Sequence, residues 1–571
     1  MINIYQLFPR VFGNKTTTLE ANGSIQTNGC GKFADIDNQA ISAIRELGIT
    51  HVWLTGIIRH ATLTSYKKNG IPDCHPGVVK GQAGSPYAIT DYYDVDPDLA
   101  TNVDERLQEF KALVKRLHQQ KLKVIIDFVG NHVSRQYQSI AKPTGTPDFG
   151  EFDNKEVVFA PTNNFYYLPG QTLVLPVIEN KITDIDSHAE YHEMPARVTG
   201  NDCFRADPAS TDWYETVKLN YGIDFTGEKQ TFFDPPPPTW NMMLDILKYW
   251  AQMGVDGFRA DMAEMVPVEF WKYAIGQVRQ QHPEIIMIAE IYRPDLYKPF
   301  IEAGFDFLYD KVGLYNRLND ILRYGQAVES LSICWKMLDV RDHRVLRFME
   351  NHDEVRLASE HFVGDPFKAL PAVVVSALMH RGPFMIYNGQ ETGETGSGAT
   401  GYSGDDGRTS IFDYVHMPAH QSWMQAGSFD INALPARQKE LISFYKSLLC
   451  LRRDLPALHS GSFYDLMWAN PWYTDFDPRY IYAFMRFTIT QRLVILTNFH
   501  PTEGRKMRLN IPIDALLKAD IPIEKGEQWM AVNLLKPADK IIFKPTDLSE
   551  EGLHLKLEAS ETAIYELHPI Y

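Results

Sequence analysis

Short apolar runs rich in β-branched residues recur along roughly the first four hundred residues of this 571-residue chain. Such runs are typical of buried parallel strands, because a strand that is covered on both faces does not alternate between apolar and polar side chains. The pattern predicts eight of these strands, at residues 2–7, 51–54, 123–127, 255–260, 285–289, 305–309, 345–349 and 384–387.

Segments with the spacing of amphipathic helices lie between the predicted strands. Residues 103–117 place apolar side chains at intervals of three and four, and the helical pattern of residues 40–47 ends at Gly48. Thr239 is predicted to cap another helix, which ends near Gly254. Eight strands joined by helical crossovers favour an α/β fold of the (β/α)8, or TIM barrel, type over an open sheet.

The alternation of strands and helices is interrupted once and later ends. After His132, about a hundred residues are rich in proline, asparagine, threonine and aromatic residues. Because such a stretch is too long for a simple loop, we predict a subdomain inserted after the third strand. From residue 463 onward, short strands separated by turns predict a C-terminal antiparallel β-sandwich domain. The predicted parts are the first barrel part at 1–131, inserted subdomain B at 132–238, the second barrel part with the catalytic residues at 239–460, and the C-terminal β domain at 461–571.

Composition argues against several classes of function. The formal net charge of −16 disfavours a nucleic-acid partner, which would need clustered lysines and arginines, and no run approaches the roughly eighteen apolar residues of a membrane span. Five cysteines without a close pair indicate neither a disulfide framework nor a zinc site. The start MINIYQLFPRVFG lacks the features of a secretory signal, so a cytoplasmic location is expected unless a leader has been removed. The oligomeric state is left open.

Four apolar runs end on a carboxylate, at Asp127, Asp261, Glu290 and Asp353. The C-terminal ends of parallel barrel strands meet at one rim, where barrel enzymes hold their catalytic residues. The spacing between Asp261 and Glu290 corresponds to one helix and one strand, so these two acids are predicted to lie on adjacent strands. For Asp127 a structural role at the rim is an equal alternative.

Two of these acids suit the cleavage of an acetal. One carboxyl group must protonate the leaving oxygen while another attacks the anomeric carbon, and a separation of about 5 Å gives a glycosyl-enzyme with retained configuration. Arg259 lies two residues before Asp261 on one strand, so we expect it to keep the nucleophile Asp261 ionised. The apolar run before Glu290 favours the protonated form that a general acid needs. A structural ion pair with Asp256 or Glu264 is the alternative for Arg259.

These stretches resemble the signature regions of the α-amylase superfamily, glycoside hydrolase family 13. They occur in that family's order: DFVGNH at 127–132, GFRAD at 257–261, IIMIAE ending at Glu290, and ENHD at 350–353. A further match is SPYAITDYYDVDP, in which Tyr87 falls on the family's stacking tyrosine. The resemblance covers nearly the whole chain and implies the barrel fold predicted above.

The resemblance also implies a role for each matching residue. Asp261 would be the nucleophile, Glu290 the acid/base, and Asp353 a third carboxylate that binds sugar hydroxyls. The implied substrate-binding residues are Tyr87, His132, Arg259 and His352, with Arg259 orienting the nucleophile. Packing in the protein core is the alternative for Tyr87 and the two histidines.

Some positions depart from the family's usual pattern. Many members carry Lys and His where this chain has Glu264 and Met265, which bears on the acceptor side of the site. Asn131 matches an asparagine that ligates calcium in many members, so it is the predicted metal ligand. Lys218 stands where calcium-dependent members place an aspartate, and its ammonium group is an alternative occupant of that space. We predict no required cofactor, with Ca²⁺ as the alternative.

A glycine-rich, acidic segment at residues 387–414 follows the last predicted strand. Its glycines would allow movement as a lid, and Glu391, Asp405 and Asp406 are predicted to rim a substrate groove. A solvated loop without a role in binding is the alternative.

Together these features predict a retaining glycoside hydrolase that cleaves α-1,4-glucosidic bonds of starch- or glycogen-derived glucans or maltooligosaccharides. An α-glucanotransferase that uses the same intermediate is the second candidate. A third is a non-catalytic binding protein that resembles the amylase-like ectodomains of amino-acid transporter heavy chains. Those carry a membrane span and lose catalytic carboxylates, whereas this chain retains all three.

Overall fold

The computed structural model describes residues 1–177, 190–396, 401–472, 475–523 and 528–570. In this part of the chain eight parallel strands close into a barrel, because the first strand is hydrogen bonded to both the second and the last. The strands are β1 Asn3–Leu7, β2 His51–Leu54, β3 Lys123–Val129, β4 Gly257–Asp261, β5 Ile286–Ala289, β6 Phe307–Tyr309, β7 Val345–Phe348 and β8 Phe384–Tyr387. The predicted TIM barrel is confirmed.

At least one helix separates each pair of successive barrel strands, which is the crossover that parallel pairing requires. The α-helices of the described residues are Pro9–Phe12, Ile25–Asn28, Asn38–Glu46, Arg106–Gln119, Pro238–Gln252, Val268–Gln281, Tyr297–Ala303, Asn316–Tyr324, Leu331–Leu338, Leu370–Leu378, Pro418–Met424, Ala436–Asp454, Pro456–His459, Ile513–Lys518 and Pro545–Glu550. Within the described residues, no helix is long and apolar enough to cross a membrane.

One predicted helix begins differently from expectation. Helix Pro238–Gln252 has proline in its first turn, and Thr239 lies inside the helix, so the prediction that Thr239 is the cap was wrong. Proline suits this position because it has no N–H group to satisfy and its φ is already helical. The Thr239 hydroxyl instead accepts a hydrogen bond from Asn164 at 3.0 Å, which ties the inserted segment to the barrel helix.

The register of the central strands brings the predicted site residues together. Arg259 on β4 lies opposite Asp127 on β3, and Asp261 is the last residue of β4. Glu290 directly follows β5, which pairs with β4 on its other side. Three neighbouring strands therefore deliver their acidic residues to the same end of the barrel.

Two stretches of short strands lie beside that end of the barrel. Between β2 and β3, Ile58–His60 pairs with Ile89–Val95. After β3, the antiparallel pairs are His132–Ser134 with Thr216–Lys218, Tyr167–Leu168 with Ala196–Arg197, and Ile223–Asp224 with Gln230–Thr231. The inserted stretch has an apolar cluster of its own, in which Tyr166 packs with Leu168 and Val198. The pairing of His132–Ser134 with Thr216–Lys218 returns the end of this stretch to the rim.

The C-terminal part is antiparallel, as predicted. In the described residues one sheet has six strands, which are in spatial order Ser462–Asp465, Ile481–Phe487, Arg492–Asn498, Thr562–Pro569, Trp529–Asn533 and Lys540–Phe543. Arg505–Leu509 and Leu553–Leu557 form a separate two-stranded ribbon.

Arg486 connects this sheet to the barrel. Its guanidinium group is fully buried and donates to the carbonyl oxygens of Leu378 at 3.1 Å, Leu458 at 3.1 Å and Gly461 at 3.0 Å. Leu378 ends a barrel helix, whereas Gly461 lies at the start of the C-terminal part. One side chain thus satisfies buried carbonyl groups from both sides of the junction.

We predict that Arg486→Ala lowers the free energy of unfolding by about 2–4 kcal/mol, because it leaves buried carbonyl groups without donors. Thermal and denaturant unfolding measure the change. Lys506→Ala on the exposed ribbon is the matched control and should change stability by less than about 0.5 kcal/mol. Equal stability of the two variants would show that the Arg486 contacts contribute nothing at this junction.

Candidate active site

Arg259 lies at the centre of a cluster of carboxylates. Its side chain is 0% exposed. Nη1 lies 2.8 Å from Oδ1 of Asp261 and 3.3 Å from Oδ1 of Asp127, and Nη2 lies 2.9 Å from Oε2 of Glu290. The planar guanidinium fork has donors pointing in several fixed directions, so one cation can hold carboxylates from three strands. Asp127 is therefore part of this cluster.

Aromatic rings enclose the same guanidinium group. The ring centroids of Trp53, Tyr87 and Tyr309 lie 5.3, 5.6 and 5.6 Å from its central carbon. Nε of Arg259 also donates to the Tyr309 hydroxyl at 3.2 Å, and the Trp53 indole donates to Asp127 at 3.1 Å. These contacts fix the position of the cation and thereby the positions of its carboxylate partners.

Glu290 is held by donors on both of its carboxyl oxygens. The backbone N–H of Met262 donates to Oε2 at 2.7 Å, and the Tyr292 hydroxyl donates to Oε1 at 2.5 Å. Met262 follows β4 directly and has a left-handed backbone conformation with φ of 42°, which is uncommon for a non-glycine residue. Both donors depend on the chain path immediately after the two catalytic strands.

The charges in this cluster do not balance. Burial raises the pKa of Asp261, and the nearby carboxylates of Glu290 and Asp127 raise it further against the opposing effect of Arg259. Arg259 acts in the expected direction, because its positive charge favours the ionised form of Asp261. Three carboxyl groups share one cation, so the pKa of Asp261 stays above the usual range of a carboxyl group.

Asp261 has one oxygen available for chemistry. Oδ1 contacts Arg259, whereas the buried Oδ2 has no hydrogen-bond partner among the described residues. A buried carboxylate oxygen without a donor is rare in native structures, because its desolvation is not compensated. Asp261 also lines the cavity at this end of the barrel.

His352 links several side chains on the opposite side of the site. Nε2 lies 2.5 Å from the Tyr87 hydroxyl and 3.1 Å from Oδ2 of Asp353, and Nδ1 lies 2.7 Å from the side-chain nitrogen of Gln6. Burial disfavours charge on both members of the pair, but their mutual contact outweighs it. The pKa of His352 is raised and the pKa of Asp353 is lowered to about 2. Asp353 is thus anionic, and its side chain is 41% exposed.

A cavity of about 270 Å³ opens above these groups. Burial and the ammonium group of Lys218 lower the pKa of His132 to about 3, so this ring faces the cavity in its neutral form. The predicted site residues that line the cavity are Tyr87, His132, Asp261, Glu290 and Asp353. Arg259 and His352 lie behind them and position them through direct contacts.

Several residues of the site were not predicted. Tyr309 is the last residue of β6, Tyr292 lies two residues after Glu290, and Gln6 is a polar residue inside the apolar run of β1. Each of them could have been found from the sequence. A tyrosine or glutamine at a strand end, or two residues away from a catalytic acid, faces the site in the same way as an acid does. Met262 has no such signal, since only its backbone contacts Glu290.

The acidic residues of the glycine-rich segment are not at the rim of the cavity. Residues 397–400 of that segment lie outside the described residues. Glu391 is fully buried and accepts a hydrogen bond from Tyr5 at 2.7 Å, while Asp405 and Asp406 are exposed. The segment contributes Ile411 and Phe412 to the cavity instead.

Asn131 is placed beside an ammonium group. Its Oδ1 accepts a hydrogen bond from Nζ of Lys218 at 3.0 Å, and the same Nζ lies 2.5 Å from Oδ1 of Asp202. The remaining group of Asn131, its side-chain nitrogen, donates to the carbonyl of Gly200 at 2.7 Å. Calcium needs six to eight oxygen ligands, whereas here the amide oxygen is already used by a buried cation. The residues present at Asn131 therefore do not fit a calcium ion.

We expect dialysis against a calcium chelator to leave the melting temperature unchanged within about 1 °C, because no bound ion is lost. Lys218→Met should lower stability by about 3 kcal/mol, since it removes the partner of Asn131 and Asp202. Lys229→Met is the matched control, because Lys229 is exposed and lies at the same 5.5 Å from the Phe225 ring as Lys218. A melting temperature that falls with chelator and recovers with calcium would contradict the expectation.

The comparisons with known proteins agree with this geometry. A family model described as the alpha amylase catalytic domain matches residues 6–461. The chain belongs to the α-amylase family, whose members are glycoside hydrolases and related transferases. It is an enzyme of that family.

Individual relatives are distant. Alpha-amylase 3 of Dictyoglomus thermophilum is 22% identical over 396 residues, which cover 66% of this chain and 68% of the relative. An α-1,4-glucan:maltose-1-phosphate maltosyltransferase of Cereibacter sphaeroides is 32% identical over 89 residues, or 15% of each chain. The crystal structure of the α-amylase from Geobacillus thermoleovorans complexed with acarbose superposes with a TM-score of 0.63 at 20% identity, and the match covers 99% of this chain and 98% of that one. This structural likeness concerns the fold.

Proposed function

We propose that this protein is a retaining glycoside hydrolase that cleaves α-1,4-glucosidic bonds of starch- or glycogen-derived glucans or maltooligosaccharides. The observation that carries the proposal is the pair of Asp261 and Glu290, which face one cavity and contact neighbouring nitrogens of the same guanidinium group. One guanidinium spanning both carboxylates suits the separation of about 5–5.5 Å used by retaining enzymes rather than the wider gap of about 6.5–9.5 Å in inverting ones.

In the proposed reaction Asp261 is the nucleophile. Its free Oδ2 forms a bond to the anomeric carbon while the bond to the leaving oxygen breaks, and that oxygen takes the proton of Glu290. Water, deprotonated by Glu290, then attacks the anomeric carbon and releases Asp261. Two inversions at one carbon retain its configuration.

Charge moves between the two acids during this step. In the transition state, positive charge develops at the anomeric carbon next to Asp261, and the ionised form of that residue stabilises it. The leaving oxygen offers Glu290 an acceptor for a proton. Arg259 contacts both groups and keeps them in place as the charge moves between them.

The other cavity residues are proposed to bind the reacting sugar. Asp353 is an exposed anion that can accept hydrogen bonds from two hydroxyl groups, and neutral His132 can donate or accept one. Tyr87 presents a ring that is fixed by its stacking on His352, with centroids 5.3 Å apart. The hydrogen bonds from Asp353 and His132 to the sugar strengthen as the sugar ring flattens toward an oxocarbenium ion.

A second candidate function is α-glucanosyl transfer, in which a sugar hydroxyl replaces water in the second step. It is supported by the Cereibacter sphaeroides relative, which is named as a maltosyltransferase and matches over part of the chain. The two functions share the glycosyl-enzyme and differ in which acceptor reaches it first.

We expect maltoheptaose to give products that are only shorter than the substrate, and we expect the first-formed product to be the α-anomer. Chromatography over time and proton NMR measure these two results. Early longer chains would favour the transferase, and an initial β-anomer would contradict retention.

We predict that Asp261→Asn lowers kcat by at least about 10⁴-fold on every substrate, because it removes the nucleophile. Glu290→Gln should lose about 10²–10⁴-fold on maltooligosaccharides but much less on α-glucosyl fluoride, whose leaving group needs no proton. Asp405→Asn, at an exposed acid of the glycine-rich segment that does not line the cavity, is the control and should retain full activity. An Asp261→Asn variant with normal turnover would eliminate the proposed mechanism.

A further inference from the structure

One side of the cavity is a wall assembled from three separate parts of the chain. Lys80 comes from the segment after β2, Glu215 from the stretch inserted after β3, and Phe412 from the segment after β8, and all three line the cavity. The segments are joined by a hydrogen bond from the backbone N–H of Ala83 to the carbonyl of Phe412 at 3.0 Å. Gly81 has a positive φ of 65° and packs so closely that a Cβ would lie 2.3 Å from the same carbonyl oxygen.

The wall contains a buried ion pair. Nζ of Lys80 lies 3.0 Å from Oε2 of Glu215, and the two side chains are 10% and 5% exposed. Their geometry does not make a hydrogen bond, and the buried Oε2 of Glu215 has no hydrogen-bond partner among the described residues. Burying two charges is costly unless their remaining donors and acceptors are satisfied. Nζ of Lys80 also lies 5.2 Å from the centroid of the Tyr214 ring. Both residues line the cavity, so the exposed part of each side chain can contact a ligand there.

The wall is connected to the part of the site that is proposed to bind the retained sugar. Trp213, two residues before Glu215 in the chain, packs its ring 5.2 Å from the ring of His132, which is proposed to bind the reacting sugar. The leaving-group side is marked instead by Met262 and Tyr292, because both donate to the acid Glu290. The wall is thus connected to the residue that is proposed to bind the retained sugar, whereas the contacts of Met262 and Tyr292 are with the acid.

The size of the cavity fits a closed end. Its volume of about 270 Å³ is below the range of roughly 300–1,000 Å³ that is typical of pockets for drug-sized ligands. A long glucan chain running through the site in both directions would need an open groove. A short terminal segment of a chain needs only a pocket.

We propose that the wall closes the non-reducing end of the site and that Lys80 and Glu215 bind the hydroxyl groups of the terminal sugar, with Trp213 packing against its ring. The enzyme then attacks glucans from their non-reducing ends and prefers short maltooligosaccharides. This inference rests on the proposed hydrolysis of α-1,4 bonds and adds the direction and the position of attack.

The test compares maltoheptaose chains whose non-reducing end is either free or blocked by a 4,6-O-ethylidene group. We expect the wild-type protein to shorten the free chain at least about a hundredfold faster, because the blocked end clashes with the wall and cannot form hydrogen bonds with the ion pair. Equal rates on the two substrates would overturn the inference and leave the proposed hydrolase intact. No cleavage of either substrate would overturn both.

Variants of the ion pair test its role in recognition. Lys80→Met should lower kcat/KM on the free substrate by about ten- to hundredfold, mainly through KM, since a hydrogen bond to a charged group is lost. Lys67→Met is the matched control, because Lys67 lies in the same segment and pairs with Asp73 at 2.9 Å while remaining 73% exposed. It should leave both kinetic constants unchanged.

The double variant Lys80→Met with Glu215→Gln guards against a loss of folding, since it leaves no buried unpaired charge. We expect it to melt close to the wild-type temperature, to keep the weakened KM, and to show less discrimination against the blocked chain. The effects of the two substitutions should not be additive, because the residues act as a pair. Full wild-type discrimination in a folded double variant would overturn the assignment of the pair.

Discussion

The structure of this site depends on one buried cation surrounded by more negative charge than it can neutralise. Arg259 contacts Asp127, Asp261 and Glu290, and aromatic rings and the Tyr309 hydroxyl enclose it. Removing these carboxylates from water is unfavourable, and the guanidinium fork compensates only part of that cost. The surplus of negative charge, together with burial, raises the pKa of Asp261 above the usual range of a carboxyl group.

The barrel supplies the rigidity that such a cluster needs. The acidic residues come from the ends of β3, β4 and β5, whose register is fixed by backbone hydrogen bonds. A site built on strands holds its geometry more closely than one built on loops. The segments that follow the strands have a different role, since they supply the wall of the cavity that contains Lys80, Glu215 and Phe412. The strands thus carry the acidic residues, and the connecting segments determine which substrates fit the cavity.

The inserted stretch is held to the barrel by the ammonium group of a lysine side chain, Lys218. Lys218 lies in the strand Thr216–Lys218, beside His132–Ser134, and its ammonium group contacts Asn131 and Asp202. A lysine in this position is present at full occupancy whatever the ionic composition of the solution, whereas a bound ion stabilises only in proportion to its concentration. The same ammonium group helps to keep His132 neutral.

The barrel and the acidic residues at its rim could be predicted from the sequence, because both follow from local signals. Apolar runs marked all eight barrel strands, and acids at the ends of those runs marked Asp261, Glu290 and Asp353. Only the tertiary structure decided how these groups share charge, since the pKa of Asp261 depends on burial and on Asp127 and Glu290, which are distant in the chain. It also decided the wall of the cavity, because Lys80 and Glu215 are separated by most of the inserted stretch and no local pattern distinguishes them from solvated charges. The periodicity of apolar residues in the sequence predicts which face of a helix or strand is buried. It does not predict which residues of different elements contact each other, because those contacts depend on how the elements pack.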